Sequence, residues 1–510
     1  MRSLRWYGAL AGVAAAAVAL AVGELMALLL AARSGPLVAV GGAIIDGVPE
    51  SGKELAIRLF GVYDKVALQV GTVVILGAIA GILGAASVRR LWIGLVGIAA
   101  FGLIGAGAAA GRAGATWVWV LPSLIGAGAA AATLWIAVRH LTRDREQEVG
   151  ADDAQPMGTS ERRRFLQAMS AVIGGAAVVG FGGRMLGQRG TVEAARSAVR
   201  LPTPSGSPVP SVPGADVAGL GYVTPNDRFY RIDTAIVVPR IDPADWTLTI
   251  HGRVRRPIRL TFDDLLKRPM VERYVTLACV SNEVGGDLIG NAKWLGVPIK
   301  SLLDEVQPDA GADQVVSRSV DGFTAGTPTA VLRDGRDALL AVAMNGEPLP
   351  VQHGFPVRMV VPGLYGYVSA TKWLAELELT SFADFDAYWI PRGWAQQAPI
   401  KTQSRIDRPR SGATMAAGDV VVAGVAWAQH RGIERVEVRV DGEQWHEATL
   451  AETASIDTWR LWSWTWPATA GEHTLEVRAT DATGEVQTSE IAPPAPDGAT
   501  GWHAIGVTVD

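Results

Sequence analysis

The run Thr276-Leu-Ala-Cys-Val-Ser-Asn-Glu-Val-Gly-Gly-Asp287 holds the only cysteine of the 510-residue chain, Cys279. Residues 274–280 are strand-like and mostly apolar; polar Ser281 and Asn282 then lead into Gly285-Gly286. This pattern places the sulfur near the end of a strand, where a glycine pair lets the backbone turn and come close to a ligand. A lone thiol has no intrachain partner, which excludes a disulfide framework. An isolated cysteine is most often a small buried hydrophobe, so the segments around it must decide its role.

Outward from this run, residues 222–395 read as a mixture of strands and short helices. Asp245-Trp-Thr-Leu-Thr-Ile-His-Gly252 alternates Trp246, Leu248 and Ile250 with polar neighbours, the period of a half-buried strand. Thr261-Phe-Asp-Asp-Leu-Leu266 reads as a helix start, with Thr261 as N-cap and acids in the first turn. Beyond Ile400 the pattern is all β. Arg435-Val-Glu-Val-Arg-Val440 alternates, Asp441-Gly442 supplies a hairpin turn, and Trp462, Trp464 and Trp466 fall on one strand face. Short strands at this spacing predict an immunoglobulin-like β-sandwich over residues 396–510, with its tryptophans as core.

Upstream, residues 187–221 contain Leu201-Pro-Thr-Pro-Ser-Gly-Ser-Pro-Val-Pro-Ser-Val-Pro213, which predicts a semi-extended, proline-stiffened tether. Residues 1–140 carry four apolar runs, at about 7–32, 66–87, 91–111 and 117–138. Each is long enough to cross a hydrocarbon layer of ~30 Å as a helix of about 20 residues. Residues 34–65 mix Gly, Pro and both charge signs, as a loop with a short surface helix would. Glu24 lies in the first run and is expected to face a neighbouring helix.

Arg2 and Arg5, Arg89 and Arg90, and Arg139, His140, Arg143 and Arg145 fall on one side if all four runs cross. The positive-inside rule makes that side, and the N-terminus, cytoplasmic. In residues 141–186, Glu161-Arg-Arg-Arg-Phe-Leu-Gln167 resembles the twin-arginine export signal S-R-R-x-F-L-K, and a Gly/Ala-rich apolar stretch follows as a fifth span. Such signals are addresses read by a receptor and serve proteins exported already folded. The expectation is a multi-pass protein of the cell membrane whose chain after about residue 186 lies outside the cytoplasm. No histidine falls inside a run, which disfavours a bis-histidine haem there. The runs read as an anchor or as a docking surface for another membrane protein. A formal net charge of -4 gives no sign of a nucleic-acid binder.

Three separated stretches of the soluble part combine. The first is Pro225-Asn-Asp-Arg-Phe-Tyr-Arg-Ile-Asp233. The second is Thr276 to Asp287, followed by Ala292-Lys-Trp-Leu-Gly-Val-Pro298. The third runs from Met344-Asn-Gly-Glu-Pro-Leu-Pro350 through His353-Gly-Phe-Pro-Val-Arg358 to Ser369-Ala-Thr-Lys-Trp373. In order and content they resemble the molybdenum-cofactor domain of the sulfite oxidase family, and the β region after Ile400 resembles that family's dimerisation domain. The resemblance covers about 290 residues, from Tyr222 to Asp510.

The resemblance implies an oxidoreductase that moves an oxygen atom and two electrons between a small molecule and molybdenum. The metal would be held by the two sulfurs of molybdopterin, a pyranopterin, and by Cys279, a soft thiolate kept deprotonated by coordination. Arg231, Asp233, His353, Arg358, Ser369 and Lys372 stand at cofactor-binding positions, with Phe229 as an apolar wall. A homodimer follows from the last domain. With no Cys-x-x-Cys-His and a single cysteine, the chain holds no c-type haem or cysteine-ligated cluster. Electrons would therefore pass to a separate carrier, a cytochrome or a quinone-linked protein.

Departures from the family pattern put sulfite as substrate in question. Phe323-Thr-Ala-Gly326 stands where the family has an active-site tyrosine. No arginine lies between Gly363 and Lys372, where the family places a substrate-binding one, and Asp233 replaces a histidine. Losing a cation and a hydroxyl weakens the hold on a small dianion. Phe323, Tyr365 and Tyr367 are the candidates for lining the altered pocket. Two other readings stay open. One is a thiol hydrolase with Cys279 as nucleophile, His353 as base and Asp287 as orienter. The other is a non-catalytic surface protein that displays a β-sandwich on a tether.

Overall fold

The computed structural model describes residues 2–30, 34–48, 64–112, 115–148, 159–177, 189–205, 209–210, 212 and 215–510. Two compact units emerge, one of residues 1–191 with 235–237 and one of 192–234 with 238–510.

The first unit is helical: α1 (Arg2–Leu30), α2 (Pro36–Gly47), α3 (Asp64–Ser87), α4 (Leu91–Ala110), α5 (Leu121–Glu148) and α6 (Thr159–Ala177). Leu4–Leu30, Ala67–Ser87, Leu91–Ala110 and Trp117–Thr142 are long and apolar enough to cross a membrane. Small residues let α1 and α3 touch through their backbones: a Cβ on Gly12 would lie 2.0 Å from the Ala80 carbonyl oxygen. Glu24 is buried and accepts a hydrogen bond from the Leu37 N–H (3.0 Å). The acid thus satisfies an otherwise unpaired donor in the first turn of α2. In the segment expected to form a fifth span, Leu166–Ala176 is an apolar helix of shorter length. The rest of that expected span, from 178 to 183, lies outside the described residues, as does part of the expected loop before it.

The second unit begins with a departure from the expected tether. Residues Arg189–Ala198 form a helix, α7, in which Val192 is buried. Arg196 anchors it to the segment 347–349, donating to the carbonyl oxygens of Pro348 and Leu349 and pairing with Glu347. Beyond it, Leu201, Val212, Val217 and Leu220 pack against the core of the unit. Proline richness reported on stiffness but not on these apolar residues, whose burial draws the segment onto the domain.

Two sheets carry the site. One has the order β2-β1-β10-β5-β6, with β1 (Thr247–Gly252), β2 (Ile258–Thr261), β5 (Gln314–Ser319), β6 (Thr324–Pro328) and β10 (Leu374–Thr380). The other has the order β3-β4-β7-β8, with β3 (Val271–Ala278), β4 (Ile289–Pro298), β7 (Leu339–Met344), β8 (Glu347–Pro348), and β9 (Arg358–Val360) paired on β7. Trp246, Leu248 and Ile250 point into the core, following the alternation of β1. Thr261 caps a short helix, α8 (Phe262–Leu266), with a reciprocal capping box to Asp264.

Residues 403–509 form the sandwich. One sheet runs β11-β13-β17-β16, with β11 (Gln403–Arg408), β13 (Gly418–Trp427), β16 (Thr449–Leu450) and β17 (Arg460–Ala468). The other runs β12-β19-β18-β14-β15, with β12 (Thr414–Met415), β14 (Ile433–Val440), β15 (His446–Glu447), β18 (Gly471–Asp481) and β19 (His503–Val509). Asp441 and Gly442 both have positive φ, as the turn after β14 requires. Trp462 and Trp466 are buried between the sheets, and Trp464 stacks on His446. Trp427, Trp459 and Leu461 leave the sandwich core and join that of the preceding domain.

Candidate active site

Cys279 follows directly on β3, which ends because the chain folds back on itself. The Cys279 N–H donates to the Leu288 carbonyl (2.9 Å), the Asn282 N–H donates to the Cys279 carbonyl (3.2 Å), and the Asn282 side chain accepts from the Leu288 N–H (2.8 Å). These bonds tie 279–288 into a closed loop. Gly285 in it has φ +76°, a conformation open to glycine at little cost. The thiol is buried, and burial pushes its pKa up. The Ser281 N–H and hydroxyl, the Val280 N–H and the Lys372 charge favour the thiolate and oppose that shift. A cation bound at the sulfur would complete the reversal.

The sandwich buttresses this loop. Arg405 Nη1 donates to the Gly286 carbonyl (2.6 Å), and His503, held by the Ile406 N–H at its Nδ1 (3.0 Å), packs against Gly285. Thr276, three residues before the cysteine, bonds to Asp457 and Trp459. Nothing local in the sequence near Cys279 signals these contacts, because they come from residues more than a hundred positions away.

The three motif stretches converge on a cationic cluster in which Arg358 and Lys372 are buried and Arg231 is exposed. Arg358, on β9, is 5% exposed and donates to the carbonyl oxygens of His353 (3.1 Å), Met359 (3.3 Å) and Ala370 (3.4 Å), with its guanidinium 5.1 Å from the Trp294 ring centre. No described carboxylate pairs with it, and burial pulls its pKa down to about 10. Lys372 donates to Asp233 Oδ2 (2.7 Å), and Arg231 Nε donates to the same oxygen (2.9 Å). Burial lowers Lys372 to about 8, with Asp233 resisting. The Asp233 carboxylate is thus shared by two cations, while Arg358 is buried with no described carboxylate partner, where bare charge is costly.

His353 is buried, and its Nε2 lies 3.0 Å from the Asn226 carbonyl oxygen. A carbonyl only accepts, so Nε2 carries the proton and Nδ1 is left as an acceptor. Burial, then the charges of Arg358, Lys372 and Arg231, push this imidazole down to about 4, so it is neutral at physiological pH. Phe229 packs edge-to-face on His353 and Trp294 and lies under Gly290, forming one wall.

The remaining candidates are placed differently. The Ser369 hydroxyl is committed to the carbonyl oxygens of Leu364 (3.1 Å) and Tyr365 (2.9 Å), pinning the short helical turn Gly366–Val368. The Tyr367 hydroxyl donates to the Ala395 carbonyl (2.6 Å). That of Tyr365 meets the Lys401 N–H (3.5 Å) and the backbone at Gly498. The Tyr367 hydroxyl is thus committed as a donor, whereas that of Tyr365 only accepts, over a long bond. Phe323 packs on Tyr388 (5.8 Å between ring centres). The relay of a thiol hydrolase is not formed: no hydrogen bond joins Cys279 to His353, whose Nε2 is taken by Asn226, and Asp287 is exposed without bonding His353. Asn226 and Tyr230 belong to the site although sequence reasoning passed over them. Their only signal was membership of the first stretch.

Residues 235–389 match the family described as oxidoreductase molybdopterin binding domain, and residues 403–477 match the bacterial Ig domain. Mitochondrial sulfite oxidase of Mus musculus is 31% identical over 336 residues, covering 56% of this chain and 61% of that protein. Sulfite oxidase of Gallus gallus is 28% identical over 344 residues, covering 57% of this chain and 73% of that protein. The chain thus spans about three-fifths of the length of the mouse relative. The crystal structure of the sulfane dehydrogenase SoxCD from Paracoccus pantotrophus has a TM-score of 0.50 at 24% identity, covering 63% of this chain and 91% of that one. At that identity the likeness is one of fold. The matched domain implies molybdenum and molybdopterin as cofactors.

Proposed function

We propose that the chain, whose residues 235–389 match the oxidoreductase molybdopterin binding domain, is a membrane-anchored enzyme of the sulfite oxidase family. It transfers an oxygen atom, with two electrons, between a small molecule and a molybdenum centre ligated by Cys279. The observation that carries this reading is the pair of buried cations Arg358 and Lys372, of which only Lys372 has a described carboxylate partner, Asp233, shared with the exposed Arg231. A guanidinium that is buried without a counter-ion fits an anionic group, such as the phosphate of a pyranopterin, that arrives to neutralise it.

When bound, molybdopterin and its metal supply the two-electron oxygen-transfer chemistry. The residues of the chain bind and orient. Cys279 offers a sulfur whose surrounding donors already favour the thiolate. Arg358 and Lys372 neutralise the anionic end, and Asp233 holds Lys372 and Arg231 in place. Neutral His353 presents Nδ1 as an acceptor to a donor edge of the ring system, while Phe229 and Trp294 exclude water from one side. The segment from Gly363 to Lys372 contributes no arginine to a substrate pocket, so a small dianion such as sulfite is held weakly. The substrate is accordingly another small oxygen donor or acceptor.

Four long apolar helices support anchoring in the cell membrane, and the twin-arginine-like run supports placement of the catalytic part outside the cytoplasm. A separate carrier takes or gives the electrons, and pairing through the sandwich gives a homodimer. The reading is tested by measuring molybdenum and released pterin per chain on the full-length protein, solubilised in detergent from a host that makes the cofactor. Near-stoichiometric amounts of both are expected. A folded protein that carries neither, despite available cofactor, ends the proposal.

A further inference from the structure

Tyr230, between Phe229 and Arg231, is a titratable group that the binding roles above leave unused. Its ring stacks on Phe229, with centres 5.2 Å apart and planes 21° from parallel. Its hydroxyl lies 4.0 Å from the point a Cβ on Gly366 would occupy, and the Ala278 carbonyl oxygen lies 3.8 Å from that same point. The phenol therefore faces the turn that begins at Gly366, to which the carbonyl of Ala278, the last residue of β3, also turns. The glycine leaves the gap between them open.

The hydroxyls of Tyr365 and Tyr367 are engaged by Lys401 and Ala395. That of Tyr230 makes no hydrogen bond to any described residue. A phenol set among protein groups ordinarily finds a partner, so this one is free for a ligand. A phenol keeps its proton at neutral pH, so this hydroxyl can act as a donor.

Resting on the molybdopterin reading, we propose that Tyr230 is the neutral hydrogen-bond donor of the reaction pocket, aimed at the substrate oxygen that is exchanged at the metal. It supplies the hydroxyl that the run Phe323–Gly326 lacks. The donor comes from the first motif stretch, on the Cys279 side of the site, and carries no charge. It can orient an oxygen and stabilise charge developing on it without demanding a dianion.

The test uses full-length, molybdenum-loaded protein with ring-deuterated tyrosine, beside Tyr230→Phe made in the same way. Molybdenum and pterin are counted first in both. Electron–nuclear double resonance is then recorded on the dithionite-poised Mo(V) state in H2O and D2O. The parent should give a tyrosine-ring deuterium coupling and a coupling from an exchangeable proton. Both should be lost in Tyr230→Phe at unchanged molybdenum content. Identical spectra at equal loading would overturn the inference and leave the molybdopterin reading intact. Loss of metal from Tyr230→Phe would also overturn it, by assigning the residue to cofactor retention. If the variant fails to fold, the labelled parent decides alone, since absence of a ring coupling excludes a phenol at the metal. A parent without molybdenum overturns both readings.

Discussion

Arg405 Nη1 donates to the Gly286 carbonyl oxygen over 2.6 Å, and this bond ties the first strand of the sandwich to the loop that carries Cys279. The sandwich therefore does more than extend the chain: it fixes the backbone on which the sulfur is presented. Because the donor is charged and mostly buried, the bond contributes on the order of 1.5–3 kcal/mol. Arg405→Ala is expected to lower the melting temperature of the soluble unit by several degrees and molybdenum per chain severalfold. Calorimetry and metal analysis on the same preparation check both.

Gly285 tests the same contact from the other side. Any Cβ there would sit 2.3 Å from His503 Cδ2, at a φ of +76°. Gly285→Ala should cost about 1–3 kcal/mol from backbone strain, plus the clash. Adding His503→Ala relieves the clash but not the strain. The double variant should thus recover part of the stability lost by Gly285→Ala, measured by denaturant unfolding. Equal or greater loss in the double variant would deny the contact.

His503 also gives the loop an acid limit. Burial, then the Arg405 charge, pushes its imidazole down to about 4 from an ordinary 6.5. Between those values the unfolded chain binds a proton that the folded one refuses, so stability rises with pH. The contribution is complete above about pH 6.5 and is lost as pH falls through about 4. There a protonated Nδ1 can no longer accept from Ile406. His503→Gln should flatten the stability profile over that window relative to the parent.

Arg358 separates fold from cofactor. Without an anion its buried charge is a liability, offset in part by the three carbonyls it serves. Arg358→Met should change the stability of cofactor-free protein by no more than about 1–2 kcal/mol. Pterin and molybdenum per chain should fall about tenfold or more. A large loss of stability with normal loading would make Arg358 a structural residue.

Export offers an independent check. Replacing Arg162 and Arg163 together by lysine should strand the soluble unit on the cytoplasmic side, read by protease protection in spheroplasts. Unchanged accessibility from outside would remove the twin-arginine reading.

Much of this architecture was legible because it is written locally. Period-two alternation announced β1, β14 and β17, Thr261 as N-cap with acids in the first turn announced α8, and four long apolar runs announced α1, α3, α4 and α5. Cys279 at a strand end was legible from the glycine pair that follows it. What escaped depends on distance. The docking of α7 rests on Arg196 meeting Pro348 and Leu349, and the buttress of the Cys279 loop comes from Arg405 and His503. Tyr365 and Tyr367 were expected to line the substrate pocket, and which way their hydroxyls turn depends on residues some thirty positions away. Their hydroxyls are in fact turned to backbone groups at 395–401. Asp233 shows the reverse case: in sequence it is a substitution, whereas in the structure it balances Lys372 and Arg231 at once.

The central claim is that Cys279 ligates molybdenum, and X-ray absorption at the molybdenum edge tests it most directly. Full-length parent and Cys279→Ser would be compared at equal pterin content. The account predicts one fewer sulfur in the metal's coordination sphere in the variant, with the pterin sulfurs retained. The same number of sulfur neighbours in both proteins would contradict it.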